Sequence, residues 1–84
     1  MKLTVIGGCG SRSLMLAKCL AQQAESLDIT EVVFMDIDKE RNRVFGSMAR
    51  EVFARIAASV RFLCTEDEKE AVRGADFVIT TIRA

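Results

Sequence analysis

Lys2-Leu3-Thr4-Val5-Ile6-Gly7-Gly8-Cys9-Gly10-Ser11-Arg12-Ser13 opens the chain and runs into Leu14-Met15-Leu16-Ala17. The first residues are a short β-prone run, the glycine cluster breaks it, and the residues after Ser13 suit a helix. Further on comes Val32-Val33-Phe34-Met35-Asp36, a second apolar run closed by a carboxylate. A strand that turns through glycines into a helix brings bare backbone N–H groups and the positive end of the helix dipole to one sheet edge. A diphosphate can sit there. The opening therefore reads as a nucleotide-binding α/β unit.

The rest of the chain continues the alternation. Leu16, Leu20, Ala24 and Leu27 recur at helical spacing, which predicts a first helix from about Ser13 to Ser26. The unbroken run Val32 to Met35 is the pattern of a strand covered on both faces, as in parallel sheets. Asp38 is placed to cap a second helix, whose apolar positions are Val44, Phe45, Met48, Ala49, Val52, Phe53 and Ile56. Gly46 inside it costs about 1 kcal/mol relative to alanine, and close packing on a strand explains its presence. Val60 to Cys64 reads as a third strand. Thr65 with Glu68 fits a capping box for a short helix that Gly74 ends in the left-handed conformation, and Ala75 to Ile82 reads as a fourth strand. Right-handed crossovers then give a three-layer, Rossmann-like α/β domain with a parallel sheet in the order 3-2-1-4, and the ligand crevice lies between strands one and four.

Composition narrows the function. Twelve basic side chains balance twelve acidic ones, so net charge attracts neither a nucleic acid nor an anionic membrane. The apolar runs are far shorter than a membrane span, and a cytoplasmic location is expected. The three cysteines, Cys9, Cys19 and Cys64, match no disulfide framework or CxxC motif. Cys19 and Cys64 read as packing residues, and Cys9 as a small residue filling a glycine position at the start of the first helix, where a thiol can also be reactive. Histidine is absent, which removes the commonest metal ligand and the usual general base from these 84 residues.

The glycine loop registers against G-x-G-x-x-G in two ways. Starting at Gly7 places Cys9 and Arg12 at the later glycine positions, whereas starting at Gly8 keeps Gly10 and leaves the small Ser13 at the third. The second register suits a diphosphate better. Asp36 ends the second strand somewhat farther along than the usual spacing of about 20 residues, and its carboxylate can accept both adenosine-ribose hydroxyls. That favours NAD over NADP, although Asp38, Lys39 and Arg41 nearby leave NADP open; the plainer alternative is a solvated or capping aspartate. Arg83, just past the fourth strand, and Arg12, within the loop, are candidate anion grips or ordinary surface arginines.

Three separated blocks carry a resemblance: Lys2 to Ser13, Phe34-Met35-Asp36-Ile37-Asp38, and Ala75-Asp76-Phe77-Val78-Ile79-Thr80-Thr81-Ile82-Arg83. Together they resemble the N-terminus of family 4 glycoside hydrolases, in particular bacterial 6-phospho-β-glucosidases, over essentially the whole chain. The resemblance implies an NAD-binding domain over residues 1–84, with Gly7, Gly8, Cys9, Gly10, Ser11, Arg12, Ser13 and Asp36 at the cofactor and Arg83 at the phosphorylated sugar. It also implies hydrolysis by oxidation at C3, elimination, water addition and re-reduction, with a divalent metal, typically manganese, polarising the C3 oxygen. Two departures stand out. Family members commonly carry glycine where this chain has Cys9. They also run to several hundred residues, with the metal-binding cysteine and histidine and the tyrosine base beyond the point matching Ala84. A fragment without glycosidase activity of its own is thus expected, homo-oligomeric as a whole enzyme and self-associating through its last strand when isolated. The readings from other classes are a dinucleotide-sensing regulatory module, or another NAD-dependent dehydrogenase or a methyltransferase.

Overall fold

The computed structural model describes residues 1–7 and 13–80. The elements are β1 (Lys2–Ile6), α1 (Ser13–Gln23), β2 (Glu31–Met35), α2 (Lys39–Ile56), β3 (Arg61–Thr65), α3 (Glu68–Val72) and β4 (Phe77–Thr80). The four strands form one sheet in the order β3-β2-β1-β4, every neighbouring pair parallel. This is the expected order, and the helices lie on both sides of it. None of the helices among the described residues is long and apolar enough to cross a membrane.

Period-two alternation divides the strands between two cores. Leu3 and Val5 of β1, Val32 and Phe34 of β2, and Phe62 of β3 join Ala17, Leu20, Ala21, Ala49 and Phe53 under α1 and α2. Val33 and Met35 face the other way, against Ala71 of α3, with Ile6 and Leu63 at the margin. The residues Val32 to Met35 are all buried, which confirms a strand covered on both faces. Three rings give the larger core its rigidity: Phe53 stacks on Phe62 at 5.1 Å between centroids, and Phe62 meets Phe34 edge-on at 5.1 Å. On the opposite face the buried Thr4 hydroxyl donates to the Ala71 carbonyl at 2.5 Å, tying α3 to the middle of β1. β4 closes the sheet on one side with Phe77 and Val78 exposed, the feature on which the expectation of self-association rests.

Several boundaries differ from expectation. α1 stops at Gln23 instead of continuing to Ser26. Asp28 turns the chain at φ 55°, a conformation its short polar side chain tolerates, and the Ile29 N–H donates to the Ala24 carbonyl at 2.8 Å. Ile29 rather than Leu27 is the buried anchor, and Leu27 is half exposed. β3 is shifted by one residue and includes Thr65, whose backbone pairs with Met35. Thr65 therefore cannot cap α3, because its backbone belongs to the sheet. Asp67 caps instead, its Oδ1 accepting from the Lys69 and Glu70 N–H groups at 2.9 and 3.3 Å, while Thr65 Oγ1 accepts from the Asp67 N–H at 3.0 Å. Gly74 does follow α3 at φ 71°. On α2 the buried face is Gly46, Ala49 and Phe53; Val44, Met48 and Ile56 are substantially exposed, so the apolar stripe is wider than the face that packs.

Gly46 has the expected reason. A Cβ at this position would lie 2.7 Å from Cys64 Sγ, so only glycine lets α2 sit this close to β3. Burial pushes the Cys64 thiol up, against the opposing pull of the Arg50 charge and hydrogen bond, so it packs as a small neutral group at neutral pH. A double-mutant cycle tests this contact. Gly46→Ala should destabilise the domain by about 1 kcal/mol despite better helix propensity, and should stabilise it by a similar amount once Cys64→Ala has removed the sulfur. Additive effects in urea titrations would show that the contact is not what holds glycine here.

Candidate functional site

The C-terminal ends of β1 and β2 form the edge that the sequence marks. β1 leaves the sheet at Gly7, whose φ of 77° is left-handed, a conformation in which a side chain is strained. The Gly7 N–H donates to the Met35 carbonyl at 2.7 Å. The turn out of β1 is thereby fixed directly beside Asp36, the residue after Met35. Gly8, Cys9, Gly10, Ser11 and Arg12 lie outside the described residues, as does Arg83, and Ser13 begins α1.

Asp36 is 2% exposed, which sets aside the solvated aspartate of the plainer alternative but not the capping one. Its Oδ1 accepts from the Asp38 N–H at 3.0 Å, and this bond turns the chain out of β2 toward α2. Asp38 then caps α2 as expected, accepting from the Arg41 N–H at 3.1 Å, and its second oxygen lies 3.8 Å from the Arg41 side chain. The positive charge of Arg41 is thus directed to Asp38. At this edge a left-handed glycine turn on one strand stands beside a buried, oriented carboxylate on the next. A carboxylate so placed is suited to accepting hydrogen bonds from vicinal hydroxyls.

One residue of this corner escaped the sequence reading. Asn42 Nδ2 donates to the Asp36 carbonyl at 3.2 Å and to the Thr65 carbonyl at 3.1 Å. A signal for it exists: Asn42 extends the buried stripe of Gly46, Ala49 and Phe53 by one turn, and a polar side chain on an inward stripe needs partners. Those partners lie at the ends of two strands, and no local pattern names them.

A parallel sheet in the order 3-2-1-4, with a left-handed glycine turn after the first strand and an acidic residue just past the end of the second, defines a Rossmann-like domain. The model of the family 4 glycosyl hydrolases matches residues 2–84, and the chain belongs to that family. It is 30% identical to a 6-phospho-beta-glucosidase of Thermotoga maritima, over 99% of this chain and 19% of that protein. A phospho-alpha-glucosidase of Clostridium acetobutylicum is 28% identical over 98% of this chain and 19% of its own length. A solved Thermotoga maritima 6-phospho-beta glucosidase, with manganese, NAD+ and glucose-6-phosphate, superposes with a TM-score of 0.86 at 30% identity, covering 99% of this chain and 19% of that one. The chain therefore spans about a fifth of the length of the relatives it matches.

Proposed function

We propose that residues 1–84 are the NAD-binding portion of a 6-phospho-glucosidase. The observation that carries this reading is the pairing of the Gly7 turn with the buried Asp36 carboxylate at adjacent strand ends, in a chain that matches the family over residues 2–84. In this reading Gly7, Gly8, Cys9, Gly10, Ser11, Arg12 and Ser13 bring the backbone to the diphosphate. Asp36 receives the adenosine ribose, and Arg83 faces the phosphorylated sugar. Bound NAD would supply a reversible hydride acceptor for a sugar hydroxyl. The chain's own part is to bind and orient that cofactor by its adenosine end, next to the switch point between β1 and β4.

The Gly7 turn and the buried Asp36 carboxylate support the NAD reading. Among the described residues no group of three or more His, Cys, Asp or Glu side chains can hold an ion, and no step in this reading is assigned to a metal. We expect the 84 residues alone to bind cofactor without hydrolysing glycosides. For the sugar we favour the β-anomer, supported by the Thermotoga maritima relative at 30% identity; the α-specific relative at 28% is the competing assignment.

Calorimetric titration of the chain with NAD, NADP and S-adenosylmethionine tests the cofactor reading. Binding of NAD at least about tenfold tighter than NADP, with no response to S-adenosylmethionine, is the expected result; tenfold corresponds to about 1.4 kcal/mol. A folded chain that binds none of the three, or that prefers S-adenosylmethionine, would overturn it.

A further inference from the structure

We infer that Asn42 is a positioning residue for nucleotide selection, acting through Asp36. The inference rests on the cofactor reading above and adds to it the residue that holds the selecting carboxylate in place. Asn42 sits on the inward stripe of α2, one turn before Gly46, where its neighbours on the stripe are a glycine, an alanine and a phenylalanine. Its amide nitrogen has two protons, and the structure directs them to two carbonyls, those of Asp36 and Thr65, at 3.2 and 3.1 Å.

Those carbonyls mark the place where the sheet ends. Met35 and Thr65 are the last paired residues of β2 and β3, and the Asp36 N–H reaches back to the Thr65 carbonyl at 3.2 Å. Asp36 lies one residue past that last pair. Asn42 carries the support onward, bonding the carbonyl of Asp36 and, through Thr65, the acceptor of its N–H. With Oδ1 held by the Asp38 N–H, the residue is fixed by its backbone on both sides and by its carboxylate.

Such fixing matters for choosing between NAD and NADP. The two cofactors differ only in the 2'-phosphate, so discrimination requires a carboxylate that cannot swing away from the 2' position. A loosened Asp36 would accept the hydroxyls less well and would yield to the phosphate. Asn42 therefore contributes to selection without touching the ligand, because an incorrectly supported group loses much of its effect even when it is present.

The test compares NAD and NADP affinities by calorimetry for the wild-type chain, Asn42→Leu, Asn42→Gln and Thr4→Val. Leucine fills similar space without a donor, glutamine restores an amide, and Thr4→Val removes a buried hydrogen bond on the other face of the sheet as a control for stability alone. Asn42→Leu should weaken NAD about tenfold and leave NADP nearly unchanged, so that the preference collapses; tenfold is the loss of one well-formed contact. Asn42→Gln should recover part of the preference, and Thr4→Val should keep the wild-type ratio at lower melting temperature. If Asn42→Leu weakens both cofactors equally, or Thr4→Val changes the ratio as much, Asn42 is merely structural and the inference falls while the role of Asp36 stands. A wild-type chain that does not prefer NAD overturns the underlying reading and this inference together. If the leucine variant does not fold, the ratio measured for Asn42→Gln decides: a folded chain whose NAD preference falls below wild type while Thr4→Val keeps it supports the inference, and an unchanged wild-type preference overturns it.

Discussion

Replacing Asp36 with alanine is expected to weaken NAD binding by about 2–3 kcal/mol, roughly 30- to 150-fold, because the proposed site would lose two charge-assisted hydrogen bonds to the ribose at a buried position. The same change should help NADP. A unit charge about 5 Å from a carboxylate, at an effective dielectric of about 20, is opposed by about 3 kcal/mol, and alanine removes that repulsion. The NAD-to-NADP ratio should therefore fall further than NAD affinity alone. Asp36 also has a local duty, since its Oδ1 accepts from the Asp38 N–H at 3.0 Å. Asp36→Asn separates the two roles: it keeps an oxygen for the turn and removes the charge. It should fold like wild type, lose most of the discrimination, and bind NAD with intermediate strength. Titrations of both variants against both cofactors check this. An Asp36→Ala chain that stays folded and binds NAD as wild type does would remove the carboxylate from the ribose site.

Phe53→Ala is expected to have the largest effect on stability. The ring is 1% exposed and stacks on Phe62, which in turn meets Phe34. Truncating a buried phenylalanine costs about 3–5 kcal/mol through lost transfer energy and the cavity left behind. Stabilities of about 0.05–0.15 kcal/mol per residue give a domain of 84 residues about 4–13 kcal/mol in all, so this one change removes a large fraction. Each kcal/mol shifts the melting temperature of a domain this size by about 4–8 °C, so a fall of at least about 12 °C is expected by circular dichroism. Met48→Ala on the same helix, at a side chain 45% exposed, should cost far less. Equal effects at the two positions would mean that the aromatic cluster is not the centre of the core.

The candidate site was legible in part. Asp36 stands out in the sequence because it closes an apolar run, and Gly7 because it interrupts one, yet neither pattern says that the Gly7 N–H bonds to the Met35 carbonyl and so joins the two strand ends. The burial of Asp36 was equally out of reach, since it depends on what surrounds the strand end rather than on its neighbours in the chain. At α3 the capping box misled because it is a local pattern, and the pairing of Thr65 with Met35 took that residue into the sheet. Leu27 continued a helical stripe, but the turn at Asp28 gave the buried position to Ile29.

From sequence alone came the element order, the parallel sheet and its strand order, the caps at Asp38 and Gly74, and the close approach at Gly46. These arise from short-range causes: side-chain period, β-branching, the dihedral freedom of glycine, and the fixed hand of parallel crossovers. Tertiary structure alone decided that Cys64 is what Gly46 accommodates, that Thr4 anchors α3, and that Asn42 joins the ends of β2 and β3. Each of these depends on sheet register and on how a helix lies across it. A one-residue shift of β3 is enough to exchange the faces its side chains occupy, and the information that sets the register is distributed over the whole core.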